Sequence, residues 1–339
     1  MNFPNLINSK LPNVGTTIFT VMSKLAAENN AINLSQGFPD FSCNPDLVEL
    51  VGKYMKAGNN QYAPMAGLIQ LREMLAQKTE ELYGAQYNPD TEITITAGAT
   101  QAIYTAITAI IREGDEVIVF EPAYDCYQPA IELNGGKTIY LQLKAPSYSI
   151  DWEEVKKMMN HRTKMIIVNT PHNPTGSIMS AADMVMLQKL TKDTDIVIIS
   201  DEVYEHIVFD GHVHQSVARY PHLATPIQFA LAEFLQQKNQ YVELGNFYQK
   251  KRDYFISLIK NSRFELTPSA GTYFQLLNYK KLSSEKDTDY AIRLTKEFKL
   301  AAIPISVFYH EGVDNHVLRF CFAKKEETLE KAAAIINTI

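Results

Sequence analysis

Residues 165–204 read MIIVNTPHNPTGSIMSAADMVMLQKLTKDTDIVIISDEVY and hold two short apolar runs separated by a helical pattern. The runs, Met165 to Asn169 and Ile196 to Ser200, are rich in β-branched and aliphatic residues, as in buried strands. Turn-forming or polar residues follow each run, at 171–176 and at Asp201-Glu202. The order strand, helix, strand predicts a βαβ unit with parallel strands. Ligands of such sheets bind at the carboxyl ends of the strands, so both turns are candidate site segments.

The same alternation extends over the first two thirds of the chain. Further strands are predicted at Ile93 to Thr96, Val117 to Phe120 and Thr138 to Leu143. The sequence therefore predicts an α/β fold with a mainly parallel central sheet and helices on both of its faces.

The last third of the chain predicts a smaller unit. Pro226 to about Leu258 has apolar residues at three- and four-residue spacing and is predicted to be one long helix. The elements predicted after it are strands at Phe264 to Thr267, Thr272 to Leu277 and Val317 to Phe322, and helices near Asp287 to Phe298 and Lys325 to Ile336. We therefore assign residues 35–245 to a large domain, and residues 1–34 with 246–339 to a small α+β domain.

Composition excludes several classes of function. The 339 residues include 32 basic and 38 acidic side chains, a formal net charge of -6, without long runs of one sign. This argues against a nucleic-acid surface or a polybasic membrane contact and favours small-molecule chemistry. The three cysteines have no C-x-x-C spacing, so neither a disulfide framework nor a zinc site is indicated. A reducing cytoplasm fits this pattern.

Three further segments bear on location and on metals. Residues 1–15 contain no apolar run of signal-peptide length. Ile93 to Ile111 carries no charge, but its threonines favour a strand, a turn and a buried helix over a membrane span. His206, His212 and His214 are close in sequence but lack a fourth ligand at a metal-binding spacing. We assign them to solvated loops and expect no metal site.

Three motifs at the ends of predicted strands could carry chemistry. Asp201 is placed to meet a ligand, although a helix cap would also explain an Asp-Glu pair there. Asn169 to Gly176 is a rigid loop with two prolines, for which an ordinary turn is the alternative. Thr96 to Gln101 joins a strand to a helix through small residues, which let backbone N–H groups approach an anion. Close packing is the alternative explanation for that turn.

In this order and spacing the motifs resemble those of the fold-type I pyridoxal-phosphate enzymes, specifically the class I aminotransferases. The chain is similar in particular to the branch with methionine aminotransferases and the kynurenine and glutamine transaminases. The matching segments are Asn33 to Phe41, Gln61-Tyr62, Gly98-Ala99-Thr100, Glu121 to Tyr127, Asn173 to Gly176, Asp201 to Tyr204, and Arg319. The resemblance implies the fold-type I fold, pyridoxal 5'-phosphate as the cofactor, and amino acids and 2-oxo acids as substrates.

The resemblance also assigns roles around the cofactor ring. Asp201 would hold a proton on the ring nitrogen, which keeps the ring an electron sink. Asn173 and Tyr204 would donate hydrogen bonds to the phenolic oxygen. Tyr124 would stack on the ring face.

By the same resemblance, the phosphate would bind to backbone N–H groups at Gly98-Ala99-Thr100, and Tyr62 would reach it from a second subunit. A homodimer with active sites at the interface is therefore expected. Arg319, in an apolar strand, would bind the planar substrate α-carboxylate, with Gly37 and Asn173 beside it. A surface salt bridge is the alternative role for Arg319.

The chain departs from the family at one point. Members carry a lysine that forms a Schiff base with the cofactor and moves the α-proton, and an arginine for the phosphate follows it. Here Val217 to Leu223 is followed directly by Ala224, and no lysine occurs between Lys192 and Lys238. The segment with both residues is absent, so we expect the large sheet to be short of two strands.

Three functions follow as alternatives. The first is transfer of an amino group from methionine, an aromatic amino acid, kynurenine or glutamine to a 2-oxo acid. The second is a pyridoxal-phosphate C–S lyase, because such enzymes share the fold and most of the motifs. The third is a homologue without catalytic activity that acts as a binding or interaction protein, which the missing lysine favours.

Overall fold

The computed structural model describes residues 9–12, 14–220 and 239–339. Its central element is a parallel sheet whose four strands lie in the order β3-β2-β4-β5. The strands are β2 (Glu116–Glu121), β3 (Lys137–Gln142), β4 (Thr163–Asn169) and β5 (Val197–Asp201). The four corresponding predicted strands are confirmed to within two residues.

Helices cover both faces of this sheet, as predicted. On one face lie α4 (Ala99–Ile110) and α5 (Tyr127–Leu133), and on the other α6 (Trp152–Met158) and α7 (Ala181–Thr191). Alternate residues of β2 point to opposite faces, so Val117 packs with the first pair of helices and Ile118 with the second. The charge-free stretch from Ile93 to Ile111 contains α4. None of the helices described is long and apolar enough to cross a membrane.

The N-terminal part is mainly helical. It comprises α1 (Ile18–Glu28), β1 (Ile32–Asn33), α2 (Pro45–Lys56) and α3 (Ile69–Tyr83). Asn44 caps α2 by accepting a hydrogen bond from the Asp46 N–H, with Pro45 in the first turn. No side chain of α2 is buried in the single chain, although several of them are apolar.

The C-terminal part holds a three-stranded antiparallel sheet in the order β6-β9-β8. Its elements, with β1 as the parallel partner of β7, are α8 (Asn239–Val242), α9 (Leu244–Ile259), β6 (Phe274–Asn278), α10 (Asp287–Phe298), β7 (Leu300–Ala301), β8 (Ile303–Pro304), β9 (Val317–Cys321) and α11 (Glu326–Ile336). Met22 and Leu34 pack in one apolar cluster with Phe320 and Leu329, so the N-terminal residues complete this core. The exact boundary at residue 245 stays a prediction.

Two predicted strands do not form. Ile93 to Thr96 belongs to no strand; Ile93 and Ile95 instead pack on Leu71 of α3, and the Ile95 N–H donates to the Ala66 carbonyl. The alternating apolar side chains of this segment are thus buried by a helix and not by a sheet. Phe264 to Thr267 contributes a single antiparallel bridge, from Glu265 to Asn278 at the end of β6, and forms no strand.

Two other predictions fall wholly or partly outside the described residues. The predicted helix from Pro226 to Leu258 lies within the described residues only from residue 239 onward. In that part, a turn at Glu243 separates α8 from α9, so the helix is not continuous. The junction between Leu223 and Ala224, where two strands were expected to be missing, lies outside the described ranges.

Candidate active site

Asp201 ends β5 at the carboxyl edge of the parallel sheet. Its Oδ2 accepts a hydrogen bond from the Tyr127 hydroxyl at 2.6 Å, and its Oδ1 accepts the Val203 N–H at 3.3 Å. Burial raises the pKa of Asp201, and these two hydrogen bonds oppose that shift. No helix begins in residues 202–216, so the helix-cap explanation of Asp201 is wrong.

The loop after β4 is held to the end of β5. The Asn169 amide donates to the Asp201 carbonyl at 2.8 Å, and Asn169 Oδ1 accepts the Asn173 N–H at 2.8 Å. The Thr170 N–H also donates to the Asp201 carbonyl. These contacts fix the backbone of the loop at Thr170 and Asn173 to the end of β5, which an unconstrained turn would not do.

Arg319 lies in the middle of β9 and is only 1% exposed. Its Nη1 donates to Asn173 Oδ1 at 2.8 Å and its Nη2 to the Ser35 carbonyl at 3.0 Å, while the guanidinium carbon lies 3.9 Å from the Phe274 ring centroid. Its Nε has no hydrogen-bond partner among the described residues. Burial lowers the pKa of Arg319 to about 10, so the group is still a cation at neutral pH.

The surface-salt-bridge explanation of Arg319 is therefore wrong. Neither of the two groups that accept its hydrogen bonds is a carboxylate. A desolvated cation with a free N–H and neutral partners favours binding of an anion.

Gly37 lies against the same aromatic wall. A Cβ at this position would come within 2.7 Å of the Phe274 ring, so only glycine fits without moving the ring beneath Arg319. The Tyr273 hydroxyl donates to the Gly37 carbonyl at 2.8 Å. Tyr204 packs edge-on against Tyr273 at 5.2 Å between centroids, and burial raises its pKa, so it stays a protonated hydroxyl that can donate.

The turn before α4 forms a second part of the site. Gly98 has φ +90°, in the left-handed region that glycine tolerates, and open space lies above its Cα. The Ala102 N–H donates to the Gly98 carbonyl, which places the N–H groups of Ala99 and Thr100 in the first turn, at the open helix start. Burial raises the pKa of Tyr124, and the neighbouring Thr100 side chain opposes that shift. The Tyr124 ring packs against that of Tyr127, with 5.9 Å between centroids.

Most of the predicted site residues thus come together. Tyr124 and Tyr127 pack in one apolar cluster with Ala99, and Tyr127 binds the Asp201 carboxylate. Asn173 binds Arg319 and is linked through Asn169 to the backbone carbonyl of Asp201. Tyr62 does not join them within the single chain, because its side chain is fully exposed.

Sequence reasoning missed two residues of this site. Tyr127 was only part of a matching motif, yet its hydroxyl binds Asp201, 74 positions away. Ser35 offers its backbone carbonyl to Arg319, a contact that no side-chain pattern reveals. The available sequence signal for Tyr127 was its three-residue spacing from Tyr124 at the start of α5.

The assignment of three histidines to solvated loops was wrong for two of them. His212 is exposed, as predicted, but His214 is buried and its Nε2 lies 2.7 Å from a Glu202 carboxylate oxygen. His206 has only 19% of its side chain exposed. In the part of the chain that the structure describes, no three metal-binding side chains come together.

The chain belongs to the family described as aminotransferase class I and II, which it matches over residues 29–226 and 215–336. The aminotransferases of this family use pyridoxal phosphate. The chain is 42% identical to the methionine aminotransferase of Escherichia coli K12, over 98% of each chain, in an alignment of 378 positions. It is 30% identical to human kynurenine–oxoglutarate transaminase 1, over 91% of this chain and 92% of the relative.

A solved structure shows the same fold. An Escherichia coli protein whose crystal structure and reactivity identified a methionine aminotransferase function superposes with a TM-score of 0.95 at 41% identity, over 99% of this chain and 100% of that one. The predicted family and its fold are confirmed. The alignment of 378 positions is longer than the 339 residues here, so part of the E. coli relative has no counterpart in this chain.

Proposed function

We propose that this chain binds pyridoxal 5'-phosphate and a neutral α-amino acid, and that its ancestral reaction is transfer of the amino group to a 2-oxo acid. The observation that carries the proposal is Arg319, buried, charged and hydrogen-bonded only to neutral groups, next to Asn173 and within one connected site with Asp201. A guanidinium in that setting matches the planar α-carboxylate that all amino acids share.

The residues present fit four parts of the cofactor. Asp201, whose carboxylate accepts the hydrogen bond from Tyr127, would hold a proton on the ring nitrogen. Tyr204 and Asn173 would bind the phenolic oxygen, and Tyr124 would lie on the ring. The open helix start at Gly98-Ala99-Thr100 would take the phosphate, for which it offers N–H groups and the positive end of the helix dipole. The cofactor supplies the electron sink when bound.

The substrate would lie between Arg319 and this ring site. Its α-carboxylate would pair with the guanidinium and its side chain would meet the rings of Phe19, Phe274 and Phe308, which surround that group. Apolar rings favour methionine and aromatic donors over acidic ones. The relatives named for methionine and kynurenine support this substrate class.

We infer that the chain lacks the amine that would move the α-proton, since no lysine occurs between Lys192 and Lys238. The two stretches that match the family overlap at residues 215–226, and this supports a gap at Leu223-Ala224. We infer that the segment missing there holds the family's lysine and phosphate arginine. The chain would then bind cofactor and substrate without turning them over at a normal rate.

A reduction experiment tests this proposal. Pyridoxal 5'-phosphate and then borohydride are added to the purified chain, followed by intact mass and a peptide map across Leu223-Ala224. We expect cofactor binding by equilibrium dialysis, the junction peptide, and no reduced cofactor linked to lysine. A lysine-linked cofactor at a single site would show that another lysine has taken the role.

Two alternatives have distinct outcomes. If dialysis shows no cofactor binding, the chain is a binding or interaction protein, the alternative that the missing lysine favours. A C–S lyase would release pyruvate from cystathionine without an added 2-oxo acid, whereas a transaminase needs the acceptor. The second assay is run on the chain and on a version with the missing segment restored.

We also propose that the chain is a cytoplasmic homodimer. Val48, Val51 and Met55 lie at three- and four-residue spacing on α2 and are exposed, and Tyr62 and Met65 just beyond are fully exposed. Apolar side chains on one helix face favour a protein partner, and the resemblance places Tyr62 in the neighbouring site. Light scattering should give twice the chain mass of 38.3 kDa. A stable monomer that binds the cofactor would contradict the proposal.

A further inference from the structure

The carboxylate of Glu121 is buried at the end of β2 and is bound by a loop from the other half of the molecule. Glu121 is 0% exposed. Its Oε2 accepts the backbone N–H of His310 at 2.8 Å, and the imidazole Nδ1 of His310 lies 3.1 Å from both carboxylate oxygens. The histidine ring in turn stacks on Tyr140 of β3, with 4.0 Å between centroids and 6° between planes.

Two further hydrogen bonds join the same partners. The Ala123 N–H donates to the Phe308 carbonyl at 2.9 Å, and the Tyr309 hydroxyl donates to the Leu143 carbonyl at 3.2 Å. The loop of residues 306–311 is thus fixed to the carboxyl ends of β2 and β3. These links cross more than 160 positions of sequence, so they join the parallel sheet to the antiparallel one.

Both ends of this connection lie beside proposed ligand sites. Phe308 stands 5.6 Å from the guanidinium carbon of Arg319 and 5.8 Å from the Phe19 ring, so the loop forms one wall of the carboxylate site. On the other side, Glu121 precedes Tyr124 by three residues. The Phe308 wall is therefore tied to the segment that leads to Tyr124 at two points, Ala123 with Phe308 and Glu121 with His310.

We propose that Glu121 and His310 are a pair of positioning residues for the substrate site, a role that rests on the proposed function. A buried carboxylate is costly unless charged or strongly polar donors satisfy it, and His310 supplies two such donors. The pair holds Phe308 near Arg319, so the guanidinium stays between the rings of Phe19, Phe274 and Phe308. Neither residue touches the substrate in this arrangement.

The test compares two ligand probes on the full chain. 3-Phenylpropionate, an aromatic monocarboxylate, probes Arg319 and its ring wall, and inorganic phosphate probes the turn at Gly98-Ala99-Thr100. Both dissociation constants are measured by calorimetry for the parent chain and for His310→Ala. We expect about tenfold weaker binding of 3-phenylpropionate and unchanged binding of phosphate, because small misplacements of positioning groups weaken a site strongly.

Two further variants separate positioning from general stability. His310→Asn keeps an N–H donor close to the position of Nδ1 and should restore most of the affinity for 3-phenylpropionate. His161→Ala, which removes an exposed histidine far from the pair in sequence, should change neither constant. Equal weakening of both probes by His310→Ala, or no rescue by His310→Asn, would overturn the inference. If the parent chain binds neither probe, the proposed function itself is wrong and nothing is left to position.

Discussion

Asp201 and Arg319 lie on strands that differ in how many of their edges pair with another described strand. Arg319 is in β9, which pairs with β6 on one edge and β8 on the other, and all five residues of β9 are buried. Asp201 ends β5, whose only strand partner among the described residues is β4, and all five of its residues are partly exposed. Within the described residues, the strand that carries Arg319 is therefore paired on both edges, whereas the strand that carries Asp201 is paired on one edge only.

The difference agrees with the segment that we infer to be missing after β5. A parallel strand at an edge leaves N–H and C=O groups unpaired, which sheets usually cover. β5 is followed within about twenty residues by the junction at Leu223-Ala224, where we infer a missing segment. Restoring that segment should therefore act on the β5 side and leave the β9 side unchanged.

The largest expected effect comes from restoring the segment itself. The residues that the E. coli methionine aminotransferase has between the positions matching Leu223 and Ala224 are inserted at that junction. Transamination of methionine should rise by about 10²- to 10⁴-fold, the usual contribution of a positioned acid-base group. Amino-group transfer to a 2-oxo acid is followed by chromatography.

The matched control for this insertion replaces its lysine by alanine. That version restores the strands without the amine, so its activity should stay near that of the parent chain. Equal activity of the two inserted versions would mean that the covered edge of β5, and not the lysine, was what the parent chain lacked.

The second effect tests the Arg319 side of the comparison. In the version with the restored segment, Arg319→Lys should lower kcat/KM by the equivalent of about 2 to 4 kcal/mol, because an ammonium cannot bind a carboxylate through two parallel hydrogen bonds. Arg293→Lys in α10, which alters a half-exposed arginine paired with Glu285, should have little effect. Unchanged kinetics for Arg319→Lys would place the carboxylate site elsewhere.

The third effect measures the two strands directly. Leu318→Ala in β9 removes a fully buried side chain and should lower the free energy of unfolding by about 2 to 5 kcal/mol. Ile198→Ala in β5 should cost about half as much, since Ile198 is already partly exposed. Urea denaturation gives both values. Similar losses would indicate that β5 is covered in solution and would remove the contrast.

The smallest effect concerns the pH dependence of Asp201. Burial raises its pKa in the folded chain above that of the unfolded chain, so the folded state loses stability as pH rises through the interval between the two values. Asn carries no charge. The free energy of unfolding of Asp201→Asn should therefore improve relative to the parent as pH rises above about 4, the ordinary value for an aspartate.

Urea denaturation at several pH values checks this sign. Tyr127→Phe is the companion variant, because it removes a hydrogen bond that lowers the pKa of Asp201 and should widen the pH interval. A relative stability of Asp201→Asn that falls as pH rises would show that the folded chain favours the charged carboxylate.

Much of the fold was predictable because local patterns and tertiary packing agree in it. The apolar runs of β2 to β5 are buried or half-buried on both faces and were found from composition alone. Ile93 to Thr96 has the same alternation but forms no strand, since a strand needs a neighbour and its isoleucines find a helix. Alternation reports which side chains are buried and does not report what buries them.

The sequence predicted about as much of the site as of the fold. Asp201, Asn173 and Arg319 stand at motif positions, and the structure brings them together. Tyr127 and the Ser35 carbonyl were missed because their contacts with Asp201 and Arg319 depend on chain segments far apart in sequence.

The sequence by itself determined the family, the order of its motifs and the absence of a lysine between Lys192 and Lys238. These are properties of residue identity and spacing, which folding does not change. Only the tertiary structure decided that Arg319 is buried with neutral partners, that Glu121 is bound by His310, and that β5 has one strand partner among the described residues. Those facts depend on which distant segments meet, and burial, hydrogen bonding and strand pairing are settled only there.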